Sequence, residues 1–164
     1  AGLGGPTVGR LGAAFLPRRG QGWFAVVAVA LTIGLADLMN YSGMTYALGY
    51  GISSAGMVFP LVSVCLGWIA VFLTGSDTSG NALFGNLQVA AAHQLSLDPV
   101  LFASANSSGG VMGKMISPQN ITTGVAVTSL KGQEGVVLAR TFRHSLVLTF
   151  SIGVVVVFQQ FVLR

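Results

Sequence analysis

Hydrophobic and polar positions divide the chain into five apolar stretches separated by short polar breaks. Residues 20–36 and 38–76 carry no charge, and Asp37 is the only interruption between them. A helix rises about 1.5 Å per residue, so about 20 residues cross the ~30 Å hydrocarbon core of a bilayer. The pattern predicts one long crossing over 22–50, which starts at Trp23 and carries the polar stretch Asn40-Tyr41-Ser42-Gly43. Segment 57–73 is apolar and stops at Thr74-Gly75-Ser76-Asp77-Thr78-Ser79-Gly80-Asn81, and a shorter run, 82–94, follows. Segment 99–130 is interrupted by Asn106-Ser107-Ser108-Gly109-Gly110 and again from Lys114 to Asn120. The last run, 145–163, holds 19 uncharged residues and is the plainest spanning helix.

The breaks matter as much as the runs. Backbone in lipid must satisfy its own hydrogen bonds, so polar, glycine-rich interruptions survive at membrane depth only where protein or a wet cavity surrounds them. Short helices that meet at such breaks recur at the binding sites of secondary transporters. Charge placement bears on topology. Arg10, Arg18 and Arg19 form one basic group, and Lys131, Arg140 and Arg143 a second. If 57–94 is a re-entrant hairpin, only 22–50 and 99–130 cross between the groups, and both lie in the cytoplasm as the positive-inside rule prefers. Residues 1–21 are then a cytoplasmic segment. The modestly amphipathic 133–140 suits either a helix in the headgroup plane or an ordinary helical linker. The expected fold is an all-α, polytopic membrane protein with a re-entrant hairpin and a discontinuous helix. Any inverted partner repeat would lie upstream.

Composition supports this. Of 164 residues, 52% are hydrophobic and 7% charged, against roughly 25% charged in soluble domains. The apolar content excludes disorder, and a single Cys65 excludes a disulfide scaffold. The net charge of +4 rests on residues too few and too dispersed for a nucleic-acid-binding face. The chain opens with Ala1 and carries no signal-peptide pattern, and it reads as a piece of something longer.

Asp77 is the leading chemical candidate, because an ionisable carboxyl at membrane depth costs ~2.5–3.5 kcal/mol and is a functional hypothesis by default. It can exchange a proton, cap a broken helix, or pair permanently with Lys114. Lys114 is the only basic residue inside an apolar segment; it can hold an anion, neutralise Asp77, or snorkel to the interface. Ser76, Thr78, Ser79, Asn81, Asn106, Ser107 and Ser108 can bind a small polar ligand or the freed backbone of their own breaks. Asp37, near Tyr41, suits either the site or helix packing, and His93 and His144 look interfacial. Gly109 to Met115 imitates a phosphate loop but is one residue short and has Met where Ser or Thr binds magnesium. Gly75 to Gly80 lacks the spacing of a nucleophile elbow. No enzyme, metal or cofactor is expected: one Cys and two distant His make no ligand set.

The run Leu66-Gly67-Trp68-Ile69-Ala70-Val71-Phe72-Leu73-Thr74-Gly75-Ser76-Asp77-Thr78-Ser79-Gly80-Asn81-Ala82-Leu83-Phe84 closely resembles the L-lactate permease family. So do Ala105 to Gln119, the tail around Arg143-His144-Ser145-Leu146, and Asn40-Tyr41-Ser42-Gly43. The likeness covers roughly 22–164, and residues 1–21 match less clearly. Gly80 stands where Ser is expected, Met112 where Thr is usual, and Asp37 where an uncharged residue is expected. The resemblance implies a bacterial cytoplasmic-membrane carrier that takes up L-lactate, and often glycolate, with protons. It implies that this is the C-terminal part, completed by an N-terminal remainder, and a kinship to carriers with paired hairpins and broken helices. In that reading the tip at Ser76–Asn81 meets the break at Asn106–Lys114. Backbone N–H groups and Lys114 take the carboxylate, hydroxyl and amide side chains with Tyr41 complete the substrate site, and Asp77 carries the proton. The alternatives are a sodium-coupled organic-anion carrier, a channel, or an assembly subunit.

Overall fold

The computed structural model describes residues 19–128, 130 and 132–163. Residues 1–18, Ser129, Lys131 and Arg164 lie outside them, and with them most of the expected cytoplasmic segment and three of the basic residues that informed the topology expectation, Arg10, Arg18 and Lys131. Among the described residues every regular element is a helix: α1 (Arg19–Tyr41), α2 (Met44–Ser53), a 3-10 turn (Gly56–Val58), α3 (Phe59–Thr74), α4 (Asp77–Gln94), α5 (Pro99–Lys114), α6 (Pro118–Ala126) and α7 (Glu134–Phe161).

Each boundary has a local cause. Pro60 sits in the first turn of α3, and Pro99 and Pro118 open α5 and α6, where the missing N–H costs nothing. Asp98 caps α5 by accepting from Val100 N–H at 3.0 Å. Segment 22–50 is not one straight helix. It breaks at Ser42-Gly43, where Gly43 takes φ 77°, and the halves meet at 76°. Polar side chains serve the break: Ser42 Oγ donates to Met39 O at 3.2 Å and accepts from Met44 N–H at 3.4 Å, and Thr45 Oγ1 donates to Asn40 Oδ1 at 2.8 Å. The 133–140 stretch is neither a separate surface helix nor a linker, because α7 runs unbroken for 28 residues from Glu134. Among the described residues two helical stretches are long and apolar enough to cross a membrane, Gly56–Thr74 and Glu134–Phe161, and the bent pair is a third candidate.

The core is a three-helix unit of α3, α4 and α5, with α1 and α2 packed on α4 and α7 packed on α3 and α5. At one end Phe59 and Phe102, both fully buried, meet with ring centroids 4.8 Å apart and join Val64, Ala91, Ala105 and Val156. The expected interruption at Asn106-Ser107-Ser108-Gly109-Gly110 does not exist: α5 passes through it as helix. Its glycines serve packing instead. A methyl group at Gly67, Gly109 or Gly113 would fall on the backbone of Asn106, Val64 or Trp68 respectively. Small residues of this kind let helix backbones approach closely where lipid supplies no hydrophobic drive. Among the described residues the break between the two helices of this segment is at Met115-Ile116-Ser117.

A polar clasp fastens α7 to the unit. Trp68 Nε1 donates to Ser145 Oγ at 2.7 Å, and Ser145 Oγ donates to Met112 O at 2.6 Å. Trp68→Phe removes the first bond and leaves Ser145 paired with Met112. A lost hydrogen bond of this kind costs about 0.5–1.5 kcal/mol. We expect a small drop in the thermal unfolding midpoint of the full-length protein in detergent, with assembly intact.

Candidate functional site

The tip of the α3–α4 hairpin is Gly75-Ser76. Gly75 takes φ 67°, a left-handed conformation that glycine adopts freely, and its N–H donates to Val71 O at 2.7 Å. Ser76 is extended and caps α4, its Oγ accepting from Ser79 N–H at 3.3 Å. The second arm therefore begins at Asp77 and not at 82, which places Thr78, Ser79 and Asn81 in the first two turns of α4.

This tip lodges against the break between α5 and α6. A methyl group on Gly75 would lie 2.5 Å from Gln119 Oε1 and 2.9 Å from Ser117 Oγ. Asn120 Nδ2 donates to Gly75 O at 3.1 Å and to Lys114 O at 3.4 Å. The N-termini of α4 and α6 thus come together at the hairpin tip. The first bonds within these helices are Gly80 N–H to Ser76 O and Ile121 N–H to Ser117 O. The N–H groups of Asp77, Thr78, Gln119 and Asn120 precede them and have no acceptor in their own helix. Such ends carry partial positive charge and suit a carboxylate.

Behind the tip, a continuous chain of hydrogen bonds joins all three core helices. Ser63 Oγ donates to Gln88 Oε1. Gln88 Nε2 donates to Ser63 O at 3.0 Å and to Asn106 Oδ1 at 2.6 Å. Asn106 Nδ2 donates to Asn81 Oδ1 at 2.7 Å, Asn81 Nδ2 to Ser107 Oγ at 3.2 Å, and Ser107 Oγ to Asp77 Oδ2 at 3.3 Å. Ser63, Gln88 and Asn106 are fully or almost fully buried. Asp77 Oδ1 and Ser117 Oγ are buried without a hydrogen-bond partner.

Of the sequence candidates, Asp77, Asn81, Asn106 and Ser107 therefore come together in one network, with Ser76 capping the helix beside it and Ser79 donating its backbone N–H to that cap. Thr78 and Ser108 are exposed, and so is Lys114 in the last turn of α5. Asp77 accepts from Ser107, seven residues before Lys114 and about 10 Å along the helix, and it makes no ion pair with the lysine. Tyr41 stands 90% exposed at the α1 end of the bent pair and is not part of the network. Asp37, His93 and His144 are exposed. Gln88, Ser63, Ser117, Gln119 and Asn120 were not singled out as ligand-site candidates by the sequence. A signal for Gln88 was present: 77, 81 and 88 fall on one face of a helix at spacings of four and seven.

The family model of L-lactate permease matches residues 13–163. The chain belongs to the L-lactate permease family. It is 43% identical over 137 residues to the glycolate permease of Escherichia coli (strain K12), 84% of this chain and 24% of that protein. It is 44% identical over 137 residues to the L-lactate permease of Bacillus subtilis (strain 168), with the same coverage of each. The L-lactate permease of Salmonella typhi is 43% identical over 138 residues, 84% of this chain and 25% of that protein. The chain thus spans about a quarter of the length of the curated relatives it matches. No solved structure matches it at a significant level.

As a member of the L-lactate permease family, the chain is part of an all-α, multi-pass membrane protein. The glycine-rich run before Lys114, which imitates a phosphate loop, is helical to the end of α5 and presents no loop of free N–H groups. A groove of about 640 Å³ opens between α4 and α5. Asn81 and Ser107 of the network lie on its wall, together with Ser104 and His93.

Proposed function

We propose that this chain is part of a bacterial cytoplasmic-membrane carrier that takes up L-lactate, and glycolate, together with protons. It is a transporter and not an enzyme, and its partners are the substrate, the proton, the bilayer and the N-terminal remainder of the permease. The observation that carries the reading is the meeting of two helix N-termini, those of α4 and α6, beside a carboxyl whose Oδ1 is buried and unpartnered. The relatives named as L-lactate and glycolate permeases supply the substrate class.

In this reading the substrate carboxylate takes donors from the free N–H groups at the tip and from Ser117 Oγ, and its hydroxyl bonds the Asn81–Ser107 wall. Asp77 loads the proton, so an anion and a proton cross with no net charge. The region works as part of one half of an inverted-repeat carrier that rocks between outward and inward states around the site. Segment 57–94 serves as a re-entrant hairpin, and 22–50, 99–130 and 145–163 as crossings. Lys114, exposed at the end of α5, draws the anion toward the site and does not hold it there.

The test is uptake of labelled L-lactate into vesicles that hold the full-length permease, with and without an inward proton gradient. Accumulation that a protonophore collapses is expected. Accumulation driven by sodium at fixed pH would replace the proton with sodium, held by the unpartnered oxygens of Asp77 and Ser117. Uptake that never exceeds the external concentration would make the protein a channel. No lactate uptake at all would remove the substrate assignment.

A further inference from the structure

The hydrogen-bond chain from Ser63 to Asp77 has a direction, and the direction is anchored. Gln88 Nε2 donates to the backbone carbonyl of Ser63, which can only accept. Turning the Gln88 amide over would set its oxygen against that carbonyl oxygen. Gln88 must therefore present an N–H to Asn106 Oδ1. Asn106 then presents its NH₂ to Asn81 Oδ1, and Asn81 presents its NH₂ to Ser107 Oγ. A hydroxyl has one hydrogen. With Asn81 occupying one lone pair of Ser107, that hydrogen points to Asp77 Oδ2. Every member is satisfied in one sense only, and reversing one would require reversing all.

Two consequences meet at Asp77. A proton on Oδ2 would face the hydrogen of Ser107, so Oδ2 is held as an acceptor. Oδ1 is buried, has no partner, and lies 2.7 Å from where a Cβ on Gly110 would stand. The glycine leaves that oxygen uncovered by a side chain of its own.

We propose that the chain divides the two oxygens of Asp77: Oδ2 is a fixed acceptor, and Oδ1 is the atom that takes and gives up the proton. Gln88 and Ser63, which lie outside the ligand space, are positioning residues for this division. The inference rests on Asp77 as the proton carrier. On loading, an O–H bond forms at Oδ1 with a proton from the aqueous side, and no other covalent bond in the protein changes. Other charges are sparse around it. α3 and α6 carry no charged residue, and Cys65 of α3 is exposed. The charge on α5 is Lys114, one turn past Gly110 and exposed, and the next titratable group on α4 is His93, exposed near its far end. On α7, Arg140, Arg143 and His144 are exposed and Glu134 is half-buried in the first turn; on α1 and α2, packed against α4, Asp37, Tyr41, Tyr46 and Tyr50 are exposed.

The test is acid-minus-base infrared difference spectroscopy on the reconstituted full-length permease. A protonated-carboxyl C=O band is expected, absent in Asp77→Asn. Its C=O is Oδ2, hydrogen-bonded by Ser107, so Ser107→Ala should move the band to higher wavenumber and Ser107→Thr should return it. Gln88→Met never touches Asp77, yet it should broaden or split the band, because Asn106 and Asn81 lose their fixed sense. A band that Ser107→Ala does not move, or a single unshifted band in Gln88→Met, overturns the division of the two oxygens. Should Gln88→Met fail to fold, the Ser107 pair carries the test. Uptake on the same vesicles separates the two readings. If Asp77→Asn still accumulates lactate on a proton gradient, Asp77 is not the carrier. If that accumulation is lost while the band ignores Ser107 and Gln88, the carrier reading stands and the division falls.

Discussion

In Asp77→Asn, proton-driven accumulation of lactate is expected to vanish, with the internal concentration rising no higher than the external one. Exchange of labelled for unlabelled lactate across the same membrane should persist. The asparagine oxygen can take the place of Oδ2 and accept from Ser107 Oγ, so the chain back to Ser63 keeps every bond. What the variant lacks is an oxygen that can load a proton. The substitution also removes an ionisable group from membrane depth, where a carboxylate costs ~2.5–3.5 kcal/mol on insertion scales. The protein should therefore be at least as stable as the parent, and its loss of accumulation cannot be ascribed to misfolding. Counterflow and gradient-driven uptake on one preparation, beside a thermal unfolding curve, check all three points.

Gly109→Leu is expected to abolish the folded permease. The Cβ of residue 109 would fall on the carbonyl of Val64, and a backbone carbonyl cannot step aside as a side chain can. Overpacking a core costs typically 1–3 kcal/mol, occasionally more, and the remedy here is to part α3 from α5 along their whole contact. That parting would also stretch the Gln88–Asn106 bond, at 2.6 Å one of the shortest of the network. Detergent-solubilised protein should be lost to aggregation on size-exclusion chromatography. Gly124→Ala in α6 is the matched control. Nothing lies within 4 Å of its Cβ position, and Ala for Gly inside a helix is favourable by up to ~1 kcal/mol, so the yield should hold or rise.

The two substitutions mark where sequence pattern was and was not sufficient. The hairpin was legible because Thr74 to Asn81 combines a left-handed glycine, a capping serine and a loss of apolar residues at one point. The break before α6 was legible because Ser117-Pro118 is a helix start signal inside an apolar run. Asn106 to Gly110 misleads for a physical reason. Serine, asparagine and glycine are the residues of broken helices and also those of tight helix seams with polar cross-links. Composition does not separate the two uses; only the partner across the seam does. The bend at Ser42-Gly43 is hidden in the same way, since its polar residues also suit a straight helix facing a cavity. The four network residues expected from sequence were those in dense polar clusters. Gln88 and Ser63 stand alone in apolar helices, where one polar residue signals nothing until the helix packed against it is known.

The glycine seam between α3 and α5 bears on how a membrane protein of this build moves. Ordinary helix interfaces mesh through side chains, which can change rotamer and let one helix slip past another. Here, at Gly67, Gly109 and Gly113, main chain rests on main chain, and no row of side chains is left to act as a bearing. α3 and α5, with α4 tied to both by hydrogen bonds of side-chain amides, have to travel as one block. The joints of the machine are then at its edges, at the elbow of α1 and α2 and at the gap where α5 gives way to α6.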